Sequence, residues 1–208
     1  MSLLKIHYPN GQPYHYNKEN FNQQPQKESS NYSNRGMTLE KEINLTNKQY
    51  LAENKAVIHK KPTPIQVVKV DYPKREAAKI TEAYYRRSST TDYNGVYKGY
   101  YLDFEAKETK NKTSFPLNNF HEHQINHMKQ STEHGGICFT ILRFATLDQI
   151  YFLHSEFLFK WWDQQFTTNG RKSIPLSAIK EENSLIEHGF NPRIPYLKIV
   201  DQLIDNSR

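Results

Sequence analysis

The chain has 208 residues, with 28 Lys and Arg against 22 Asp and Glu, a pI near 9.2 and a mean hydropathy of −0.87. That length suits one domain with a core and peripheral extensions, and the basic balance favours a polyanionic partner. No apolar run approaches the ~18 residues of a membrane span, the opening "MSLLKIHYPN" carries too short an apolar patch for a signal peptide, and Cys138 is the single cysteine, so an internal disulfide is excluded and a cytoplasmic setting is expected.

Residues 1–33 are rich in Asn, Gln, Ser and Tyr and hold too few aliphatics to offset the entropy of ordering, so they read as a flexible polar arm. Residues 34–208 are the expected folded domain. "GMTLEKEINLTNKQYLAEN" predicts a helix capped by Thr38, with Glu40 and Glu42 in its first turn and Leu39, Ile43, Tyr50 and Leu51 turned inward. "KAVIHKK" predicts a short strand. Prolines 62, 64 and 73 then bracket an alternating Ile65, Val67 and Val70, which predicts an excursion over about 60–80 that projects from the sheet.

Between Lys60 and Arg87 there are eight Lys/Arg and three Asp/Glu. A solvated basic loop is one reading. Interleaving with Tyr72, Tyr84 and Tyr85 favours nucleic-acid contact, with Lys60, Lys61, Lys69, Lys74, Arg75, Lys79, Arg86 and Arg87 as the DNA-binding candidates. "STTDYNGVYKGYYLDFEAKET" reads as a hairpin turning at Asn94-Gly95. "LNNFHEHQINHMKQS" reads as a helix, "GGICFTILRF" as a buried strand with Cys138 packed as a small hydrophobe, and "DQIYFLH" as another strand. "SEFLFKWWDQQF" reads as a core helix capped by Ser155, and the tail as irregular until a last helix at "YLKIVDQLI". Helices and strands alternating about a mixed sheet predict a three-layer α/β domain.

Three Glu-x-Lys patterns occur, at Glu53, Glu105 and Glu108. Strand phase separates them: Leu102, Phe104 and Ala106 share one face, while Asp103, Glu105 and Lys107 share the other. Glu105 alone combines that phase with a partner acid, Asp92, across the hairpin, and Thr90 lies two residues before it. Two carboxylates and a hydroxyl suit Mg²⁺, a hard cation that keeps several waters. Lys107 would set its ammonium against charge developing on a phosphate. Read from the residues alone, a solvated charged strand competes equally with a metal site.

Asp92, Glu105 and Lys107 resemble the PD-(D/E)xK nuclease signature, although Thr91 rather than proline precedes the first acid. "NRGMTLE", "TTDYNGVYKGYYLDFEAKET" and "FHEHQINHM" together closely resemble the RecU family, the Holliday-junction resolvases of Gram-positive bacteria. The resemblance implies a restriction-endonuclease-like fold with a projecting stalk at the basic excursion of about 60–80, and a metal site at Thr90, Asp92, Glu105 and Gln124 taking Mg²⁺ with Mn²⁺ as substitute. It also implies Lys107 as transition-state stabiliser and Glu40 as an acid near the site. The implied partners are four-way junction DNA, a second copy of the chain in a homodimer and a RecA-type recombinase. Two residues keep a second reading: Gln124, on a stripe with Phe120 and Met128, also reads as a satisfied core amide, and Glu40 as a capping or solvated acid. His121, His123 and His127 read as surface or phosphate contacts rather than a zinc site. Two other functions remain in view, a related nuclease cutting other DNA and a non-catalytic junction-binding accessory protein.

Overall fold

The computed structural model describes residues 37–72, 78–86 and 90–206. The polar arm expected over 1–33 lies outside them, as do the DNA-binding candidates Lys74, Arg75 and Arg87. The first helix, α1 (Leu39–Ala52), opens as its sequence requires, with the Thr38 hydroxyl accepting from Lys41 N at 3.3 Å. Leu39, Ile43 and Tyr50 are buried, but Leu51 is exposed, because one step past Tyr50 turns a side chain by ~100° around the helix.

A six-stranded sheet forms the middle layer. It runs β1 (Val57–Lys60), β4 (Tyr93–Tyr97), β5 (Tyr100–Thr109), β7 (Ile137–Phe144), β8 (Gln149–His154) and β10 (Ser184–Ile186), in that spatial order. The β5–β7 pair is parallel and the other pairs are antiparallel. Parallel neighbours need a crossover, and here it passes through β6 (Ser114–Pro116) and helix α2 (Glu122–Glu133). One face of the sheet packs on α1 and α5 (Leu197–Asn206) through Ile43, Phe104, Phe139 and Tyr196. The other packs on α2, α3 (Ser155–Gln164) and α4 (Leu176–Glu182) through Ile125, Met128, Leu158 and Ile179. The expected three layers are therefore present.

The hairpin β4–β5 corrects the expected turn. Asn94 and Gly95 lie inside β4, and the chain reverses at Lys98-Gly99, where φ is 49° and 83°. Two successive positive φ values make the tight turn that matches strand twist. Gly95 is required for a different reason: a Cβ there would stand 2.1 Å from the Val57 carbonyl oxygen of β1. The shifted turn pairs Tyr93 with Phe104, which carries Asp92 to the level of Glu105. A turn at Asn94-Gly95 would have left them apart.

Two further expectations change. Ser155 is the first residue of α3, and His154 holds the cap position. The stretch read as an irregular tail contains β9 (Ser173–Pro175), α4 and β10. These elements are short, and the tail's prolines hid a helix whose N-terminus Pro175 flanks. The excursion forms a separate antiparallel ribbon of β2 (Ile65–Asp71) and β3 (Lys79–Tyr85). It continues to Tyr85, beyond the expected end near 80, and its described side chains are exposed apart from a half-buried Val70.

Behind the polar face of β5 sits a row of stacked rings. Tyr93–Phe104, Phe104–Phe139 and Phe139–Phe152 have centroids 4.8, 4.6 and 4.3 Å apart, so four adjacent strands are locked together. Removing the central ring (Phe104→Ala) costs about 3–5 kcal/mol by cavity formation.

Candidate active site

Strand β5 alternates as predicted, but both of its faces are covered. Asp103 and Glu105 are each 0% exposed, because α2 and the segments around 60–62 and 90–92 close over the polar side. A half-solvated strand, the competing expectation, is thereby corrected: helix packing on the second face buries acids that the pattern alone left in water.

Around Glu105 three groups converge. Lys107 Nζ lies 2.8 Å from Oε1, Gln124 Nε2 donates to Oε1 at 2.8 Å, and the Asp92 backbone N–H donates to Oε2 at 3.2 Å. Gln124 is itself fixed, since its Oε1 accepts from His121 N at 3.1 Å and lies 3.4 Å from Lys107 Nζ. Its amide is thus fully bonded within the cluster, as the core-amide reading also expects, and it presents N–H rather than oxygen to Glu105. Burial pushes the Glu105 carboxyl up to about 8; Lys107 opposes that rise, while the Asp92 charge adds to it. A carboxyl so placed is short of positive charge.

Glu40 stands at the rim. Its carboxylate is 2.6 Å from Lys60 Nζ, and it borders two clefts, one shared with Asp92 and Thr91 and the other with Lys107 and Ala106. Thr90 precedes the strand rather than lying in it, and its hydroxyl is 3.4 Å from the Thr91 carbonyl oxygen. Glu108 turns away, accepting from Leu39 N at 3.3 Å. His121 and His123 stack on each other at 5.3 Å.

Sequence reasoning placed Asp103 on this face and gave it no role. Its carboxylate receives Lys61 Nζ at 2.8 Å, Tyr101 OH at 2.7 Å, His127 Nε2 at 3.2 Å and a short bond from the Thr91 hydroxyl. Burial works to raise this carboxyl, yet hydrogen bonds from Lys61, Thr91 and Tyr101 hold it below the usual range. Lys61, expected on DNA, is therefore directed inward, whereas Lys69, Lys79 and Arg86 are exposed on the ribbon.

The model of the family described as Recombination protein U matches residues 34–202. The chain belongs to this family. Curated RecU relatives include "Holliday junction resolvase RecU" of Limosilactobacillus reuteri, 59% identical over 97% of this chain and 98% of that protein. The proteins of the same description from Geobacillus kaustophilus and Lactiplantibacillus plantarum are each 56% identical, over 96% and 98% of this chain and 98% of their own lengths. The RecU resemblance read from three short motifs thus extends along nearly the whole chain.

RecU membership implies a divalent metal, and the residues present fit one. Each ligand candidate carries an oxygen, the donor that hard cations take, with that of Gln124 accepting here from His121 N. The buried Thr140 hydroxyl, beside Glu105 in the β5–β7 ladder, has no hydrogen-bond partner. Among the described residues no group of three or more His, Cys, Asp or Glu could hold a metal, so a cation here would rest on two carboxylates, neutral oxygens and water.

Proposed function

We propose that this protein is a divalent-metal-dependent endonuclease that resolves four-way DNA junctions by paired, symmetric nicks. The observation that carries this reading is Glu105, buried and short of positive charge, with Asp92, Lys107 and Gln124 gathered on it in a chain of the RecU family. Thr90, Asp92, Glu105 and Gln124 would hold the cation, Mg²⁺ with Mn²⁺ as substitute. When bound, the cation lowers the pKa of a water and balances charge on the phosphate oxygens.

The remaining steps belong to side chains of this chain. Glu105 keeps both oxygens aimed by Gln124 and the Asp92 amide. Lys107 holds its ammonium 2.8 Å from Glu105, where it faces charge that grows as the phosphodiester is attacked. Glu40 and Lys60 form the rim of the neighbouring cleft. The exposed ribbon, with Lys69, Lys79, Arg86 and the aromatic Tyr72, Tyr84 and Tyr85, offers charge and stacking faces to branched DNA. Selectivity then comes from shape and backbone contacts rather than base reading. Paired nicks require two sites, so the working form in this proposal is a homodimer. A contact with a RecA-type recombinase and a cytoplasmic setting complete the reading on family resemblance; among the described residues no helix is long and apolar enough to cross a membrane.

A gel assay with a synthetic four-way junction and a linear duplex of equal length tests this. Tight junction binding in EDTA, with symmetric product strands appearing on adding Mg²⁺ or Mn²⁺, is the expected result. Equal affinity for the linear duplex, or no cleavage with either metal, overturns it.

A further inference from the structure

Asp103 is the most heavily bonded carboxylate on the face of β5, yet the chemistry at Glu105 leaves it no task. Its four partners come from four places: Lys61 after β1, Thr91 before β4, Tyr101 on β5 itself and His127 on α2. Two of them are also bonded to each other, Lys61 Nζ donating to the Thr91 hydroxyl at 3.0 Å. The same two segments meet through the backbone, where Lys61 N donates to the Asp92 carbonyl at 2.7 Å. Thr91 is 1% exposed and immediately precedes Asp92. Lys61 lies four residues before the ribbon begins at Ile65, and His127 is one helical turn beyond Gln124.

We propose that Asp103 is a positioning residue: through Thr91 and Lys61 it sets the 90–92 segment, and with it Asp92, and ties that segment to the root of the β2–β3 ribbon. The inference rests on the reading of Asp92 as a cation ligand. The physical ground is the contrast between ends and middle. Residues 90–92 precede β4 and lack the ladder that holds Tyr93 onward, so beyond the one backbone bond from Lys61 N to the Asp92 carbonyl their placement depends on bonds to side chains, and a charge-assisted cluster in a buried setting supplies strong ones. Loss of one of these bonds loosens Asp92 and its N–H to Glu105 while leaving the Lys107 and Gln124 contacts of Glu105 in place. A ligand held less firmly lowers metal affinity before it lowers the rate at saturation.

The experiment compares the wild-type protein with Thr91→Val, Thr91→Ser and Asp103→Asn. Three quantities are read: the Mn²⁺ concentration giving half-maximal junction cleavage, the rate at saturating Mn²⁺, and backbone amide exchange of 90–93 and 60–62 in EDTA. Thr91→Val, which removes the hydroxyl that bonds both Asp103 and Lys61, is expected to raise half-saturating Mn²⁺ about tenfold or more. Its saturated rate stays within about threefold, and exchange at 90–93 quickens by a similar about tenfold while α5 is unchanged. Thr91→Ser keeps the oxygen and the wild-type values. Asp103→Asn shifts all readouts in the same direction as Thr91→Val; if it does not fold, the two Thr91 variants decide. Unchanged Mn²⁺ dependence and exchange in Thr91→Val, or an equal shift in Thr91→Ser, overturns the proposal. Should the wild-type protein show no metal-dependent cleavage, the endonuclease reading falls, and exchange at 90–93 still decides whether Asp103 and Thr91 hold this segment.

Discussion

Asp103 and Glu105 are two residues apart on one strand, point to the same face and are both fully buried, yet they are opposite kinds of carboxylate. Asp103 is surrounded by Lys61, His127 and two hydroxyls, and its partners hold it ionised. Glu105 has one ammonium, two N–H donors and the charge of Asp92 nearby, and burial keeps its proton on up to about 8. Equal burial thus gives a completed charge cluster at the Asp103 end of this short stretch and an incomplete one at the Glu105 end. The completed cluster is architecture. The incomplete one is where the proposed cation would sit.

The largest test of this contrast is loss of activity. Asp92→Asn or Glu105→Gln is expected to reduce junction cleavage by about 10³-fold or more, and Lys107→Met by about 10²–10³-fold. Junction binding measured in EDTA stays near the wild-type value in all three. If cleavage survives Glu105→Gln, the incomplete end is not the reaction centre.

Stability is expected to respond in the reverse order. Asp103→Asn leaves Lys61 partly buried without its counter-charge, and breaking such a pair costs about 3 kcal/mol. Glu105→Gln in the metal-free protein removes a group whose charged form burial disfavours, and costs little. Urea unfolding of both variants in EDTA measures this; equal losses would erase the distinction between the two ends.

The pH dependence of metal-free stability carries opposite signs at the two positions. At Glu105 the folded state keeps a proton that the unfolded chain releases near 4.5, so its contribution is full below that pH and is lost as pH rises to about 8. At Asp103 the folded pKa lies below 3.8, so its contribution is present above that value and is lost as pH falls through the folded pKa. Thermal unfolding in EDTA from pH 5 to 9 is expected to show a decline that Glu105→Gln removes and Asp103→Asn leaves in place. Saturating Mn²⁺ reduces the same decline, because it favours the ionised carboxyl.

A reporter of the smallest effect lies beside Asp103 in the ladder. Cys138 is 4% exposed, and burial pushes its thiol up to about 11. Alkylation by iodoacetamide at pH 7.5 is expected to be slow in the wild type and severalfold faster in Asp103→Asn, where the cluster loosens. Glu105→Gln leaves the labelling rate unchanged.

Much of this protein was determined by its sequence. Strand periodicity set Asp103, Glu105 and Lys107 on one face. The Thr38 cap and the 3.6-residue stripe set α1, and three short motifs carried the family, because local geometry and local chemistry are written in neighbouring residues. Only the tertiary structure decided that Lys98-Gly99, rather than Asn94-Gly95, turns the hairpin and so brings Asp92 level with Glu105: Gly95 serves a close approach by β1, a strand more than thirty residues earlier. It alone decided that α2 closes the second face and turns a strand of mixed polarity into a buried one. The partners of Asp103 were beyond reach for the same reason. Lys61 and His127 lie 42 and 24 residues away in sequence, and no spacing rule joins a cation, an imidazole and a carboxylate that meet only when separate elements pack.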